Sequence, residues 1–220
     1  KSAIHSKLAL FVNQTLTPLG KESKRSMKRR SLHIIRDEHA SLAAMLHSMT
    51  KLLERGPAED AAQFFDVMRA MLFYIDEVPE KQHHPKETAF LFPPVAQRSP
   101  QCAELIEQLE MDHEKGEASV RELQHLLLGW EILGESRRQA FEEATLKFVD
   151  FYSEHLLLEE SIIIPEALRV LTEEDWTKLN AAFEINKDPL SGIQTRDPIY
   201  DRLFSKIALR APAPIGLGHE

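Results

Sequence analysis

The stretch Tyr152-Ser-Glu-His155-Leu-Leu-Leu-Glu159, with Pro165 six residues after the glutamate, decides the fold. The same spacing occurs earlier in the chain, where His83 and Glu87 are followed by Pro93. Each of these three residues lies 72 positions before its counterpart in the later set. Side chains four residues apart share one face of an α-helix, so each His–Glu pair presents both groups to one point. The spacing therefore predicts a duplicated helical motif.

Four long stretches place apolar residues at alternating steps of three and four, which is typical of amphipathic helices. Because short connections favour antiparallel neighbours, the sequence predicts an all-α, antiparallel up-down four-helix bundle over residues 27–170. We interpret Gly56-Pro57 and Pro93-Pro94 as the ends of the first and second helices. The predicted helices run over Met27 to Glu54, Ala58 to Phe92, Gln101 to Leu128 and Ser136 to Ile164.

Two segments flank the predicted bundle. Residues 1–26 form a basic N-terminal segment, and residues 171–220 form a C-terminal extension with one or two short helices. Thr172-Glu-Glu-Asp175 is typical of a helix start, for an element ending near Asn186. A second short helix is expected from Tyr200 to Leu209, and the Pro- and Gly-rich tail Ala211–Gly218 should be irregular. This tail either wraps the bundle or mediates contact between subunits.

Composition and charge narrow the class of protein. The net charge is −8, although the first 30 residues carry eight basic residues against Glu22 alone. No aromatic residues interleave with these charges, so we interpret the segment as a solvated lead-in and expect neither nucleic acid nor membrane as a partner. No apolar run reaches transmembrane length, and the single cysteine, Cys102, suggests a reducing compartment. We therefore expect a cytoplasmic protein, and no phosphate-binding loop or hydrolase triad is visible.

Polar side chains replace apolar ones at the centre of the predicted core. His39 and His113 occupy core positions of the first and third helices, and the two His–Glu pairs occupy the second and fourth. Burying a carboxylate is costly unless another group compensates for it. Imidazole and carboxylate together suit iron, manganese or zinc, and two carboxylates can bridge two metal ions. The sequence predicts a metal site made by His39, His83, Glu87, His113, His155 and Glu159.

At these residues the chain resembles the hemerythrin family, in particular bacterial proteins with the HHE cation-binding domain. The matching stretches are Ile34-Ile-Arg-Asp-Glu-His39, His83-His-Pro-Lys-Glu87 with Leu91-Phe-Pro93, Asp112-His113, and Tyr152-Ser-Glu-His155 with Glu159-Glu160 and Pro165. The resemblance implies two iron ions, bridged by oxo, hydroxo or water, and a small ligand such as dioxygen, nitric oxide or peroxide. It leaves open a binding or sensing protein, a di-iron redox enzyme that reduces peroxide or repairs iron centres, and a metal-bound scaffold acting through its surface. A homo-oligomer is possible.

The chain departs from the oxygen-carrying hemerythrins in two places. They have a second histidine four residues after that of the third helix, where this chain has Glu117, and an aspartate five residues after the last histidine, where Glu159 is four after. His84 and Glu117 are therefore candidates for an additional metal ligand. Glu38 and Asp112 are interpreted as surface groups or as partners that support the ligands. His33, His47 and His125 are not expected to be ligands.

The register of the second helix predicts an irregularity. Its apolar stripe ends at Ile75 and would continue regularly to Gln82 and not to His83. One residue turns a helix face by about 100°, so a regular helix could not bury both Ile75 and His83 on one line. Pro79 withholds an amide from the carbonyl of Ile75. The sequence therefore predicts a kink or π-bulge between Ile75 and His83.

Overall fold

The polypeptide forms helices almost throughout the part that the computed structural model describes, which is residues 29–57, 60–185, 188, 190 and 198–218. Within these ranges the only β-type pairing is an isolated bridge between Pro212 and Gly218, so the all-α prediction is confirmed. The basic segment 1–26 lies outside the described residues. The α-helices are α1 (Arg30–Arg55), α2 (Ala61–Ile75), α3 (His84–Lys86), α4 (Phe92–Arg98), α5 (Ala103–Leu133), α6 (Arg138–Leu158), α7 (Ile164–Val170), α8 (Glu173–Phe183) and α9 (Asp201–Arg210).

Four bundle helices arise from these elements. The first is α1 and the third is α5; the second covers residues 61–98 and the fourth covers residues 138–170. Each packs against the next one along the chain, and the fourth returns to the first. Glycines at positive φ end the first and third, at Gly56 (65°) and Gly134 (85°), where other residues would be strained.

The second and fourth bundle helices continue past their predicted ends at Phe92 and Ile164, so these two predicted ends were wrong. Pro93 and Pro165 lie in the first turns of α4 and α7, and the helices continue to Arg98 and Val170. A proline offers no amide to the carbonyl four residues earlier, which breaks a regular α-helix. Here a π-helical turn precedes each proline, over Glu87–Leu91 and Glu159–Ile163, and its hydrogen bonds reach five residues back.

The predicted irregularity in the second bundle helix is confirmed. The segment Asp76–His83 is π-helical and contains Pro79. The amide of His84 donates to the carbonyl oxygen of Pro79, five residues back. The wider turn aims the residues after it differently from a regular helix, because each residue then turns the chain by a smaller angle.

Two apolar clusters fill the bundle, and a layer of buried polar residues separates them. Along every bundle helix, buried histidine or glutamate residues lie between a stretch that belongs to one cluster and a stretch that belongs to the other. On the first helix, for example, Leu32 to Ile35 belong to one cluster, His39 to the polar layer, and Leu42 to Leu53 to the other. The polar layer therefore lies in an apolar surrounding on both sides.

The C-terminal extension covers this bundle. Thr172 and Asp175 form a reciprocal capping box at the start of α8, as predicted, although the helix ends at Phe183 and not near Asn186. Helix α8 packs on the first and second bundle helices, and α9 packs on α2. The irregular tail wraps the bundle, since the buried Ser48 hydroxyl donates to the carbonyl of Pro212 at 2.8 Å. None of the helices in the described ranges combines the length and apolar character required to cross a membrane.

Candidate metal centre

The structure brings together all six side chains of the predicted metal site in the polar layer. Each bundle helix contributes at least one of them, and all are buried; His113 is the most exposed, at 8%. The regular parts of α1, α5 and α6 position His39, His113 and His155, and the start of a π turn positions each glutamate. The duplicated pattern in the sequence therefore converges on one place.

A first cluster combines side chains of the first and second bundle helices. Nitrogen or oxygen atoms of His39, His83 and Glu87 all lie within 4.8 Å of one another. The Nε2 atoms of the two histidines are 3.0 Å apart, and Nε2 of His83 lies 3.2 Å from Oε2 of Glu87. Oε2 of Glu159 is also near, 3.4 Å from Nε2 of His39. We call this group the His39–His83 cluster.

A second cluster lies beside it and contains the additional candidate His84. One ring nitrogen of His84, one of His113 and one of His155 all lie within 4.8 Å of one another. The rings of His84 and His113 stack, with centroids 4.2 Å apart and planes at 9°. Nε2 of His155 lies 3.4 Å from Oε1 of Glu159. We call this group the His84–His113–His155 cluster.

The two glutamates lie between the clusters. Glu87 is 3.6 Å from Nε2 of His39 and 3.8 Å from Nε2 of His113, and Glu159 makes corresponding approaches to His39, His113 and His155. Within the described part of the chain, no hydrogen bond reaches either oxygen of Glu87 or Glu159, or Nε2 of His113 or His155. Buried polar atoms are nearly always hydrogen-bonded, so these six require another partner. Metal ions of the kind that imidazole and carboxylate bind would supply it, and the donor set fits them.

Acidic partners hold the outer nitrogens of the His39–His83 cluster. Nδ1 of His39 lies 2.9 Å from Oε1 of Glu160, and Nδ1 of His83 lies 2.6 Å from Oε2 of Glu38. A carboxylate accepting from Nδ1 leaves the lone pair on Nε2, which faces the cluster. The sequence placed Glu38 among surface groups or supporting partners, and the structure places it in the buried supporting position.

The outer nitrogens of His113 and His155 have weaker support than those of His39 and His83. The hydroxyl of Thr88 lies 3.1 Å from Nδ1 of His113. Nδ1 of His155 is 3.9 Å from the nearest oxygen of Asp112, too far for a hydrogen bond. The two clusters therefore differ in the groups that support them: two close carboxylates in one, a hydroxyl and a distant carboxylate in the other.

His84 has a supporting group of its own. Nδ1 of His84 lies 3.2 Å from Oε2 of Glu80, one helical turn earlier. The hydroxyl of Tyr152 contacts Oε1 of the same carboxylate from the fourth bundle helix. Burial raises the pKa of Glu80 to about 8, against the lowering effect of this tyrosine hydrogen bond.

Charges within the centre shift the pKa values of its histidines apart. Burial alone would lower the pKa of His39, but the hydrogen bond to Glu160 and the nearby carboxylate of Glu87 raise it to about 10. Burial is likewise outweighed at His83, whose pKa rises to about 9 beside Glu87 and Glu38, and at His155, whose pKa rises to about 10 beside Glu159. For His84, burial and the neighbouring His113 hold the pKa well below its usual value.

The pKa values of the two glutamates shift in the opposite direction. Burial would raise the pKa of each carboxyl, but the charge of His83 helps to lower that of Glu87, and the charge of His155 lowers that of Glu159 well below its usual value. The ionised form of each carboxyl and the protonated form of the neighbouring imidazole therefore stabilise each other. A metal ion that binds here replaces those protons.

Glu117, the other candidate for an additional ligand, does not join either cluster. It is half exposed and pairs with Arg121 one turn later on the surface of α5. His33, His47 and His125 also lie outside the two clusters. The sequence reasoning missed the supporting roles of Thr88, Glu160 and Glu80. One signal could have found the first two, because Thr88 and Glu160 are also 72 residues apart and each follows its glutamate directly.

Comparison with known proteins agrees with this arrangement. The model of the hemerythrin HHE cation binding domain matches residues 30–167, which is more than half of the chain and includes all four bundle helices. A comparison with curated proteins gives no match. The chain belongs to the hemerythrin HHE cation binding domain family.

Proposed function

We propose that this chain binds two iron ions and that the metal pair binds or senses dioxygen, nitric oxide or peroxide. The observation that carries the proposal is the set of six inward-facing atoms without hydrogen-bond partners, on Glu87, Glu159, His113 and His155. Burying such a set is costly, and a bound cation would offset that cost. Manganese and zinc suit the same ligands, so metal identity is part of the proposal.

The ligands divide between two metal positions in this proposal. His39 and His83 hold one ion, and His84, His113 and His155 hold the other. Glu87 and Glu159 each approach histidines of both clusters and would supply the carboxylate ligands. His84, a weaker candidate from the sequence, joins the ligand set because its ring nitrogens lie with those of His113 and His155, whereas Glu117 is left out.

The surrounding residues determine what can reach the centre. A bound iron pair would supply reversible one-electron chemistry and a coordination position for a small ligand. The apolar clusters on both sides keep water out, and Phe183 of α8 packs against His83 with ring centroids 5.6 Å apart. Such a site favours a small uncharged molecule over a large or strongly hydrated one.

A cytoplasmic location is also part of the proposal. The single cysteine of the chain, Cys102, is buried.

Metal analysis and gas binding test this function. Protein from cells grown without added metal is expected to contain two iron ions per chain. After anaerobic reduction, addition of dioxygen, nitric oxide or azide should change its optical spectrum. The variant His113→Ala should lose one metal position, whereas His125→Ala, on the exposed face of the same helix, serves as the matched control and should retain both.

Steady turnover of peroxide would favour the alternative, a di-iron redox enzyme, over a binding or sensing protein. A protein that contains no transition metal, and whose melting temperature does not change with added Fe2+, would contradict the proposed function entirely. Metal bound in equal amount by wild type and by His113→Ala would contradict the proposed site.

A further inference from the structure

Tyr152 reaches across the bundle to Glu80 through a gap at Gly116. The tyrosine is on the fourth bundle helix, the glutamate on the second, and the glycine on the third between them. A Cβ atom added at Gly116 would clash with the hydroxyl oxygen of Tyr152 and would lie 3.1 Å from Oε1 of Glu80. Any residue other than glycine would therefore displace the contact between tyrosine and glutamate.

Glu80 connects this contact to His84. One carboxylate oxygen meets the tyrosine hydroxyl and the other lies 3.2 Å from Nδ1 of the histidine. With Nδ1 engaged, Nε2 is the nitrogen left for the His84–His113–His155 cluster. The ring of Tyr152 also lies parallel to that of His84, at 10° with centroids 5.8 Å apart, so the tyrosine restrains the imidazole through both its hydroxyl and its ring.

His84 requires such support more than the other histidines do. Its position 72 residues later is Leu156, so the duplication provides no matching histidine in the fourth bundle helix. It also follows His83 directly, and adjacent residues on a regular helix point about 100° apart. The π-helical segment Asp76–His83 brings both histidines into the polar layer, but it does not fix the direction of the second ring.

We propose that Gly116, Tyr152 and Glu80 form a positioning chain that aims His84 at one of the two metal positions and thereby decides whether that position is filled. This inference rests on the proposed function, since it assumes that metal binds at the two clusters. The three residues are positioning residues, because they act through His84 and not on the metal directly. The other position, at His39 and His83, does not depend on them.

Two glycine variants on the same helix provide the test. Gly116→Ala should displace the hydroxyl of Tyr152, while Gly129→Ala has no atom within 4 Å of the added carbon and is the matched control. Metal-free protein is titrated anaerobically with Fe2+, and bound iron is counted after desalting. We expect two ions per chain in wild type and Gly129→Ala, and one in Gly116→Ala.

Two further variants keep the test valid if Gly116→Ala fails to fold. Tyr152→Phe removes the hydroxyl and keeps the ring, and Glu80→Gln keeps the shape and replaces one carboxyl oxygen with an amide nitrogen. Both should bind the second Fe2+ about 10- to 100-fold more weakly, as is usual when a group supporting a metal ligand is removed. After oxidation, the paramagnetic resonance spectrum of these variants should show the signal of an isolated high-spin ferric ion, whereas the coupled ferric pair of wild type should give no signal.

The outcomes separate this inference from the proposed function. If wild type, Tyr152→Phe and Glu80→Gln all bind two ions with equal affinity, the positioning chain is wrong and the proposed function stands. If these variants only lower the melting temperature, their role is structural and the inference is also overturned. If wild type binds no metal, the proposed function fails and this inference fails with it.

Discussion

The two halves of the bundle, residues 30–98 and residues 103–170, carry the same framework. His39 and His113 correspond, as do His83 and His155, and Glu87 and Glu159. The supporting groups correspond too, because Glu38 matches Asp112 and Thr88 matches Glu160. Each supporting pair acts across the bundle, so that a residue of one helix holds a histidine of another. The duplication therefore reproduces the ligands together with the groups that orient them.

The two halves differ in the backbone of one helix, which is a regular α-helix in the second half and contains a π-helical segment in the first. Helix α6 continues without interruption from Arg138 to Leu158, whereas the first half contains the π-helical segment Asp76–His83. The position of His84 is Leu156 in the second half, and that of Glu80 is Tyr152. A local change in helix geometry therefore gives one half an additional imidazole, and the other half supplies the tyrosine that supports it. The asymmetry comes from the backbone as much as from the residue types.

The largest expected difference between the two clusters is in the pH dependence of metal binding. His39 and His83 both have raised pKa values, about 10 and about 9, so metal competes with protons at this pair of imidazoles. In the other cluster the pKa of His155 is raised to about 10, while the pKa of His84 is lowered well below its usual value. His84 is therefore already neutral. Zn2+ titrations between pH 6 and 8 should therefore show affinity rising more steeply with pH at the first position than at the second. Equal slopes would contradict this assignment.

The same pKa values predict the stability of the metal-free protein. A histidine whose pKa is raised on folding contributes stability that is complete below about pH 6.5 and is lost as the pH rises through 9 to 10. The carboxyls with lowered pKa values act oppositely, and their contribution is lost as the pH falls below the usual value of 4.5. The melting temperature of metal-free protein should fall by about 10 °C between pH 7 and 10, and metal-loaded protein should not show this decline.

Removal of either glutamate should affect both clusters alike, because Glu87 and Glu159 each approach histidines of both. We expect Glu87→Ala and Glu159→Ala each to weaken binding of both ions by about 100-fold or more, the upper end of the range for residues that only support ligands. Metal counting after dialysis against a weak chelator measures the loss. Retention of one tightly bound ion in either variant would show that the glutamates do not join the two positions.

The variant His84→Leu makes the first half like the second. It should remove one of three imidazoles from the His84–His113–His155 cluster and weaken that ion by about 10- to 100-fold, while the ion at His39 and His83 remains. Because a buried imidazole is replaced by an apolar side chain, the metal-free protein should melt at the same temperature or higher. Anaerobic Fe2+ titration and thermal melts would check both parts. Loss of both ions would refute the division into two positions.

The smallest expected effect compares the supporting carboxylates. Glu38 is 2.6 Å from its histidine and buried, whereas Asp112 is 3.9 Å from its own and more exposed. Glu38→Gln should therefore weaken the ion at His39 and His83 by about 10-fold, at the lower end of the usual range, and Asp112→Asn should change binding by less than this. Competition with a coloured zinc chelator can resolve such differences. A larger effect from Asp112→Asn would mean that its carboxylate closes on His155 when metal binds.

The sequence predicted what depends on spacing and not what depends on backbone distortion. The bundle, the six side chains of the predicted metal site and the irregularity after Ile75 follow from helical periodicity, since residues three and four apart share one face of a helix. The predicted ends at Phe92 and Ile164 were wrong because a π turn accommodates the missing amide of the following proline, which periodicity alone does not reveal. The membership of His84 in a cluster could not be decided, because it depends on how far the wide turn rotates the next residue.

The polar layer that every bundle helix crosses has a consequence for unfolding. It divides the interior into two apolar clusters, one containing α9 and the tail and the other containing α8. Metal ligands on all four helices would join the clusters into one cooperative unit. Once the metal is removed, the two ends of the bundle can open at different free energies. Amide hydrogen exchange should then resolve two protection levels, one on each side of His39, that merge into one when metal is restored.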